Sequence, residues 1–204
     1  MERRLAIFIS YLFHPLWMPL YMVFLLFWIN LNGAEAISLR PWIYIFAVVL
    51  INTIFLPISI IWLMKKMSMI QSMSLEQKQD RLYPFFISAI FYFTTWYVFN
   101  SLNIFPFLPL IFIISSILVF IAIIINVFWK ISVHSISMGA VSAAILFLTA
   151  SQFIISSWPA YIIFLLAGLV GFARLKLQAH HPSQIYVGFL LGFVVVLGLI
   201  FGIY

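Results

Sequence analysis

Residues 85–129 read FFISAIFYFTTWYVFNSLNIFPFLPLIFIISSILVFIAIIINVFW, and this stretch contains no Asp, Glu, Lys or Arg. A membrane-spanning helix needs about 20 consecutive apolar residues, so the stretch is long enough to cross a bilayer twice with a turn between the crossings. The whole chain has the same character, because 66% of its 204 residues are hydrophobic and 7% are charged. Soluble domains are roughly half apolar and about a quarter charged. The composition therefore excludes a water-soluble domain and predicts an integral membrane protein.

The apolar runs predict an all-α fold, a polytopic transmembrane helical bundle that forms one integral membrane domain over residues 1–204. We predict seven spans, joined by short connections except at residues 65–84. The predicted spans are 12–31, 42–64, 85–101, 106–128, 134–151, 159–174 and 184–203. The first apolar run is too long for the apolar core of a signal peptide, which has about 7–15 residues, so we expect it to remain as the first span.

Basic residues are distributed unevenly over the two sides that these spans define. We call the side with the N-terminus side A; only Arg40 falls on the other, side B. Side A receives the other basic residues, which are Arg3, Arg4, Lys65, Lys66, Lys78, Arg81, Lys130, Arg174 and Lys176. Lys and Arg are enriched in cytoplasmic loops, so this count predicts a cytoplasmic side A. The net charge of +6 favours membrane lipids or an anionic substrate as partners, and no polar basic domain is present to bind nucleic acid.

Three polar clusters, each just before a span, return to side A. They comprise residues 78–84, 129–135 and 174–184. Pro84 and Pro182 suit the first turn of a helix, where the missing N–H of proline is not needed. Ser132 is suited to cap the helix that follows it. We therefore expect three helix N-termini to point into one pocket.

The residues of these clusters fit phosphate chemistry. Helix N-termini offer free N–H groups and partial positive charge to an anion, and the basic side chains of Arg81, Lys130 and Arg174 join them. Two histidines, His134 and His180, supply a nucleophile and a general acid. The combination predicts cleavage of a phosphomonoester without a metal site and without a cofactor.

The clusters resemble the motifs of the type-2 phosphatidic acid phosphatase superfamily of membrane lipid phosphatases. The third motif of that family reads Ser-Arg, five residues, His, three residues, Asp, and residues 173–184 keep this spacing with Ala for Ser and Gln for Asp. Residues 131–134, Ile-Ser-Val-His, resemble the second motif, Pro-Ser-Gly-His. Residues 78–84 are similar to the first motif, Lys/Arg-Pro, although Arg and Pro are not adjacent here. The resemblance covers roughly residues 78–192, the phosphatase-like core.

The resemblance implies a role for each polar residue. His180 would attack phosphorus and form a phosphohistidine, and His134 would protonate the leaving oxygen. Gln184 stands where the family has the Asp that orients the nucleophile, so it can accept from the imidazole but cannot stabilise an imidazolium as a carboxylate does. The residues that would hold the phosphate are Arg174, Arg81, Lys130, Lys78 and Ser132.

We therefore expect a membrane lipid phosphate phosphatase that acts on phosphatidic acid, phosphatidylglycerol phosphate or an isoprenyl phosphate or diphosphate. The alternative is a catalytically weak or inactive relative that binds lipid phosphates or is a structural membrane protein. This alternative rests on Gln184, since only Glu76 and Asp80 among the four acids are candidates to replace the missing carboxylate. A transporter is disfavoured because charges are absent from mid-span positions.

The expected location is the bacterial inner, or cytoplasmic, membrane. Two interpretations of the side of the site stay open, because the charge count places side A in the cytoplasm whereas most of the resembled family works on the outer face.

Small residues recur at helical spacing in the last two spans. The pairs are Ala167 with Gly171, Gly188 with Gly192, and Gly198 with Gly202. Such spacing predicts close helix packing in lipid, and in the last span it is also consistent with a homodimer contact. His14, followed by Pro15, is left with two interpretations, a wall of a polar pocket or a contact with lipid headgroups.

Overall fold

The structure is a computed structural model that describes residues 2–32, 38–73, 75, 77–102, 105 and 107–203. These residues form nine α-helices joined by turns, including two 3₁₀ turns at Pro15–Trp17 and Gln79–Arg81. The helices are α1 (Arg3–Leu12), α2 (Met18–Asn32), α3 (Leu39–Leu50), α4 (Leu56–Lys66), α5 (Leu82–Leu102), α6 (Phe107–Phe128), α7 (Val133–Ala150), α8 (Trp158–Lys176) and α9 (Pro182–Ile203). The predicted all-α class is confirmed for this part of the chain.

Within the described part of the chain, seven helical segments are long and apolar enough to cross a membrane. They are Arg3–Asn30, Leu39–Lys66, Gln79–Leu102, Phe107–Phe128, Val133–Ala150, Trp158–Lys176 and Pro182–Gly202. The predicted number of spans is confirmed, and most of the predicted boundaries agree within a few residues. The third segment begins earlier than predicted, because the 3₁₀ turn leads directly into α5.

The predicted first span, 12–31, is wrong at its start. Helix begins at Arg3, is interrupted after Leu12, and resumes at Met18. The interruption has a local cause, since the residue before a proline is pushed out of the helical conformation. His14 accordingly has φ −67° and ψ 139°, and Pro15 begins the 3₁₀ turn.

The described helices fall into two compact units. The first comprises Met1–Met18 and Lys130–Tyr204, and the second comprises Pro19–Trp129. In the second unit α5 packs along α6, and an aromatic and aliphatic core joins α2, α3, α5 and α6. Its buried members are Val23, Leu26, Trp42, Ile45, Val49, Tyr92, Phe99, Leu108 and Phe112.

A π-helical turn, Ile51–Phe55, joins α3 to α4 without a break in the helical segment. The N–H of Leu56 donates to the carbonyl of Ile51, five residues back, as a π turn requires. Pro57 follows, and its ring would clash with a carbonyl four residues earlier in a regular α-helix. The wider turn accommodates the proline, so the segment Leu39–Lys66 stays long enough to span.

In the first unit α7 and α9 lie side by side and run parallel. A Cβ on Gly188 would lie 2.9 Å from the carbonyl oxygen of Ser132, and one on Gly192 would lie 2.0 Å from that of Ile136. A Cβ on Gly139 would lie 2.1 Å from the carbonyl oxygen of Phe189. The backbones therefore touch where only glycine fits, and the two helix N-termini lie at the same end.

The prediction of close packing is confirmed for Gly188 and Gly192, which face α7 within one chain. Gly171 of α8 approaches the side chain of Ile185 of α9, so this small residue also serves helix packing. Gly198 and Gly202 have no described atom within 4 Å of a built Cβ. The homodimer contact through the last span stays a prediction.

Candidate active site

A buried polar contact of the first unit joins His180 to Gln184. His180 lies in the turn before α9, and its Nδ1 is 3.0 Å from Oε1 of Gln184. The same oxygen accepts from the backbone N–H of His181 at 3.1 Å. A backbone N–H can only donate, so the amide must present its oxygen here, and His180 must carry its proton on Nδ1. In the neutral imidazole of His180, Nε2 therefore carries the lone pair.

The chain reaches His180 through a Schellman turn at the end of α8. The N–H of Ala179 donates to the carbonyl of Arg174 at 3.1 Å, and that of Gln178 donates to the carbonyl of Leu175 at 2.9 Å. Gln178 has φ 53°, the left-handed conformation that closes this motif. The turn reverses the chain within a few residues, so that His180 follows closely on the helix end that carries Arg174.

The second cluster is joined to the third by a backbone hydrogen bond. The N–H of Ser132 donates to the carbonyl of Gln184 at 3.4 Å. Ser132 is fully buried, and its Oγ accepts from the N–H of Ser135 at 3.3 Å, which caps α7. The predicted cap is confirmed, whereas a contact of Ser132 with phosphate stays a prediction. Lys130, two residues earlier, is partly buried.

His134, the second residue of α7, is buried beside the N-terminal segment. Its Nε2 lies 3.1 Å from the carbonyl oxygen of Ser10, and its ring meets that of His14 edge-on, with centroids 5.2 Å apart. The charge of Arg174 acts on both imidazoles, and His180 also lies within electrostatic range of His134. The first unit thus brings together two of the three predicted clusters, together with His14.

The two basic residues of the first cluster belong to the second unit. Lys78 donates through Nζ to the carbonyl of Val127 at 2.6 Å, and Arg81 donates through Nε to the carbonyl of Leu75 at 2.8 Å. Arg81 is buried, with 5% of its surface exposed. The predicted contacts of Lys78 and Arg81 with phosphate stay predictions.

The two acids considered as substitutes for the missing carboxylate can be placed only in part. Asp80 is buried in the second unit and accepts from the backbone N–H of Gln71 at 2.9 Å. Glu76 lies outside the described residues. Nδ1 of His180 contacts the amide oxygen of Gln184.

Sequence reasoning missed Ser10 and left the position of His14 open. His14 is now placed against His134, which favours the interpretation as a wall of a polar pocket over a headgroup contact. The available signal was His14-Pro15 itself, because a proline that ends a helix leaves polar backbone groups unsatisfied nearby. Gly139 was missed too, because its partner Phe189 lies in another helix.

In the comparison with known proteins, the family model of the PAP2 superfamily matches residues 125–202. This range contains the second and third motifs and the helices α7 to α9, and it leaves the first motif outside. The match supports, over this range, the family predicted from the motifs. Neither the curated proteins nor the solved structures gave a match.

Proposed function

We propose that this PAP2-like membrane protein hydrolyses the phosphomonoester or diphosphate headgroup of a membrane lipid. Phosphatidic acid, phosphatidylglycerol phosphate and isoprenyl diphosphate are the candidate substrates. The observation that carries the proposal is the contact of His180 with Gln184, which leaves a lone pair on Nε2 next to a helix N-terminus. A nucleophile needs that lone pair, and its phosphate target needs the positive end of a helix.

The reaction begins with attack of His180 Nε2 on phosphorus. The N–P bond forms while the P–O bond to the lipid breaks, and protonated His134 transfers a proton to the departing oxygen. Throughout this step Nδ1 of His180 keeps its proton and its hydrogen bond to the amide oxygen of Gln184. The products of this step are the lipid alcohol, or a lipid with one phosphate fewer, and a phosphohistidine.

Water completes the cycle. Its oxygen attacks phosphorus, its proton passes to His134, and the N–P bond breaks to return the electron pair to His180. Inorganic phosphate leaves, and both histidines regain their starting protonation states. One residue therefore acts as acid in the first step and as base in the second.

Phosphate binding falls to groups at the same end of the first unit. The N-termini of α7 and α9 supply partial positive charge, and Arg174 supplies a guanidinium that can bind two oxygens at once. Lys130 precedes α7 and adds a second charge. Lys78 and Arg81 enter the proposal through the resemblance of their cluster to the first motif of the family.

Gln184 favours a second candidate function, a weak or inactive relative that retains lipid-phosphate binding. A neutral amide holds the ring of His180 but does not offset the positive charge that develops on it. Binding of phosphate by Arg174 and the helix N-termini does not need that charge stabilisation.

Phosphate release by the purified protein in detergent tests the proposal. We expect release from at least one of the three lipid phosphates in the presence of EDTA, since the proposed steps use no metal, and inhibition by vanadate. His180→Gln should abolish release, and Arg174→Gln should raise KM or lower kcat at least tenfold. Lys176→Gln, a change of an exposed basic residue in the same turn of α8, serves as the control.

Two outcomes contradict the proposal in different ways. If the wild type releases no phosphate but binds lipid phosphate, the second candidate function replaces the first. If activity is lost with EDTA and returns with magnesium, the metal-free mechanism is wrong.

A further inference from the structure

The N-terminal segment Arg3–Trp17 contains a backbone carbonyl that does not accept the usual hydrogen bond of a helix. In a continuous helix the carbonyl of Ser10 would accept from the N–H of His14, four residues later. The N–H of His14 instead points to the carbonyl of Tyr11 at 3.3 Å, because Pro15 forces His14 out of the helical conformation. The carbonyl of Ser10 is thereby released to accept from another element.

That carbonyl lies 3.1 Å from Nε2 of His134. A carbonyl oxygen only accepts hydrogen bonds, so Nε2 of His134 must carry a proton in this contact. Nδ1 is then the one nitrogen of His134 that can gain and lose a proton while the contact lasts. Ser10 and Gln184 have the same effect on their histidines. Each accepts a hydrogen bond from one ring nitrogen and thereby leaves the other nitrogen to take part in the reaction.

His14 is fixed in turn by the same proline-containing turn. Its Nδ1 accepts from the backbone N–H of Leu16 at 3.3 Å, which caps the 3₁₀ turn. The ring then meets His134 at an interplanar angle of 86°. A capped ring in edge-on contact restricts the rotation of His134, whose buried imidazole has Arg174 and His180 as its other electrostatic neighbours.

We propose that the segment Arg3–Trp17 is a part of the active site, in which the Ser10 carbonyl and His14 are positioning groups that make Nδ1 of His134 the proton donor. The inference rests on the proposed function for the reaction that His134 serves. In the first step Nδ1 of the His134 imidazolium passes its proton to the leaving lipid oxygen. Nε2 keeps its proton and its hydrogen bond to the Ser10 carbonyl. In the second step Nδ1 takes the proton of water.

A comparison of leaving groups tests this positioning role. An alkyl lipid phosphate needs protonation of its leaving oxygen, whereas p-nitrophenyl phosphate releases a stable phenolate without it. Loss of general acid catalysis therefore slows phosphohistidine formation from the lipid substrate, which rapid-mixing measurements follow separately from the shared second step. It has little effect on the same step with the aryl substrate. A variant that merely damages the fold lowers both rates alike.

Three variants separate the contributions of the segment. His14→Asn keeps a side-chain acceptor for the cap but removes the ring, and His14→Phe keeps a ring but removes the acceptor. Pro15→Ala allows helix to continue, so that the N–H of His14 can take the carbonyl of Ser10 from His134. Because general acid catalysis contributes about 10²–10⁴ in rate, we expect each variant to lower the rate of phosphohistidine formation from the lipid phosphate by at least about tenfold. The expected change with p-nitrophenyl phosphate is less than about threefold.

Tyr11→Phe is the matched control on the same segment, since the Tyr11 side chain is 69% exposed. It should leave both rates unchanged. Equal losses on the two substrates in the His14 and Pro15 variants overturn the inference while the proposed function stands. Absence of phosphate release from both substrates in the wild type overturns the proposed function instead.

The tautomer of His134 can also be measured directly, without any phosphatase activity. In ¹⁵N-histidine spectra of the wild type in detergent micelles, neutral His134 should show a protonated Nε2 and a bare Nδ1. Pro15→Ala should convert this pattern into a mixture of the two tautomers. A wild-type His134 protonated on Nδ1, or a pattern that Pro15→Ala leaves unchanged, contradicts the inference.

Discussion

Gln184 holds the ring of His180 in the orientation that an Asp at this position would give, but it lacks the negative charge of the carboxylate. Its amide oxygen accepts from both the His180 ring and the His181 backbone, so the ring is held as a carboxylate would hold it. The difference appears only when His180 gains positive charge during attack on phosphorus. The effect of this residue therefore belongs to the transition state rather than to the ground state.

Gln184→Asp is expected to raise kcat, because a carboxylate stabilises the imidazole charge that develops in the transition state, and to change KM little. Steady-state phosphate release from the best lipid substrate measures both constants. Gln184→Ala should lower kcat through loss of ring orientation. If Gln184→Asp lowers kcat instead, the carboxylate repels the phosphate more than it helps His180, and the proposed assignment of this position is wrong.

At the scale of elements, the parallel pair α7 and α9 sets the site. Their backbones touch at Gly139, Gly188 and Gly192, and this contact aligns the two helix N-termini that carry His134 and Gln184. In lipid such close approach is favoured by van der Waals packing and is available only to small residues. The distance between the two halves of the site is thus determined by glycines that lie along the helices rather than in the pocket.

Gly192→Ala should separate α7 from α9, because the new Cβ would stand 2.0 Å from the carbonyl oxygen of Ile136. Overpacking of this kind costs about 1–3 kcal/mol, so we expect a lower melting temperature in detergent and a loss of phosphate release. Gly198→Ala on the same helix is the control, since no described atom lies within 4 Å of its Cβ. Equal effects of the two changes would show that the α7–α9 contact does not determine the site geometry. A change in oligomeric state caused by Gly198→Ala would instead support the predicted homodimer.

At the scale of the whole molecule, the open question of orientation can be tested on a chain without cysteine. Side A carries nine of the ten basic residues, which predicts a cytoplasmic side A. The connection after α4 is predicted to lie on side A, and the connection between α7 and α8 is predicted to lie on side B. Both offer exposed positions for a single introduced cysteine.

Met73→Cys, at a residue 42% exposed, should react with an impermeant maleimide only after cells are opened. Ile155→Cys, at a residue 98% exposed on the predicted opposite side, should react in intact cells. The reverse pattern would place side A and the proposed site on the outer face, where most of the resembled family works.

The sequence by itself determined those features that depend on neighbours along one helix. Residues 85–129 were sufficient to predict spans. A charge-free run of this length matches the thickness of a bilayer twice, and a helix satisfies its own backbone hydrogen bonds in lipid. The contact of His180 with Gln184 was predicted from the resemblance of residues 173–184 to the third motif of the family, and it joins residues four positions apart in the chain. Ser132 was recognisable as a cap for the same local reason.

Tertiary structure alone decided the partners that lie far apart in sequence. Ser10 and His134 are 124 positions apart, and Gly139 meets Phe189 across two helices. A periodic pattern shows that a helix has a small or polar face but does not show which other helix covers it. In lipid, where apolar surfaces gain nothing from avoiding water, the choice among helices is made by backbone approach and by hydrogen bonds that only the assembled bundle contains.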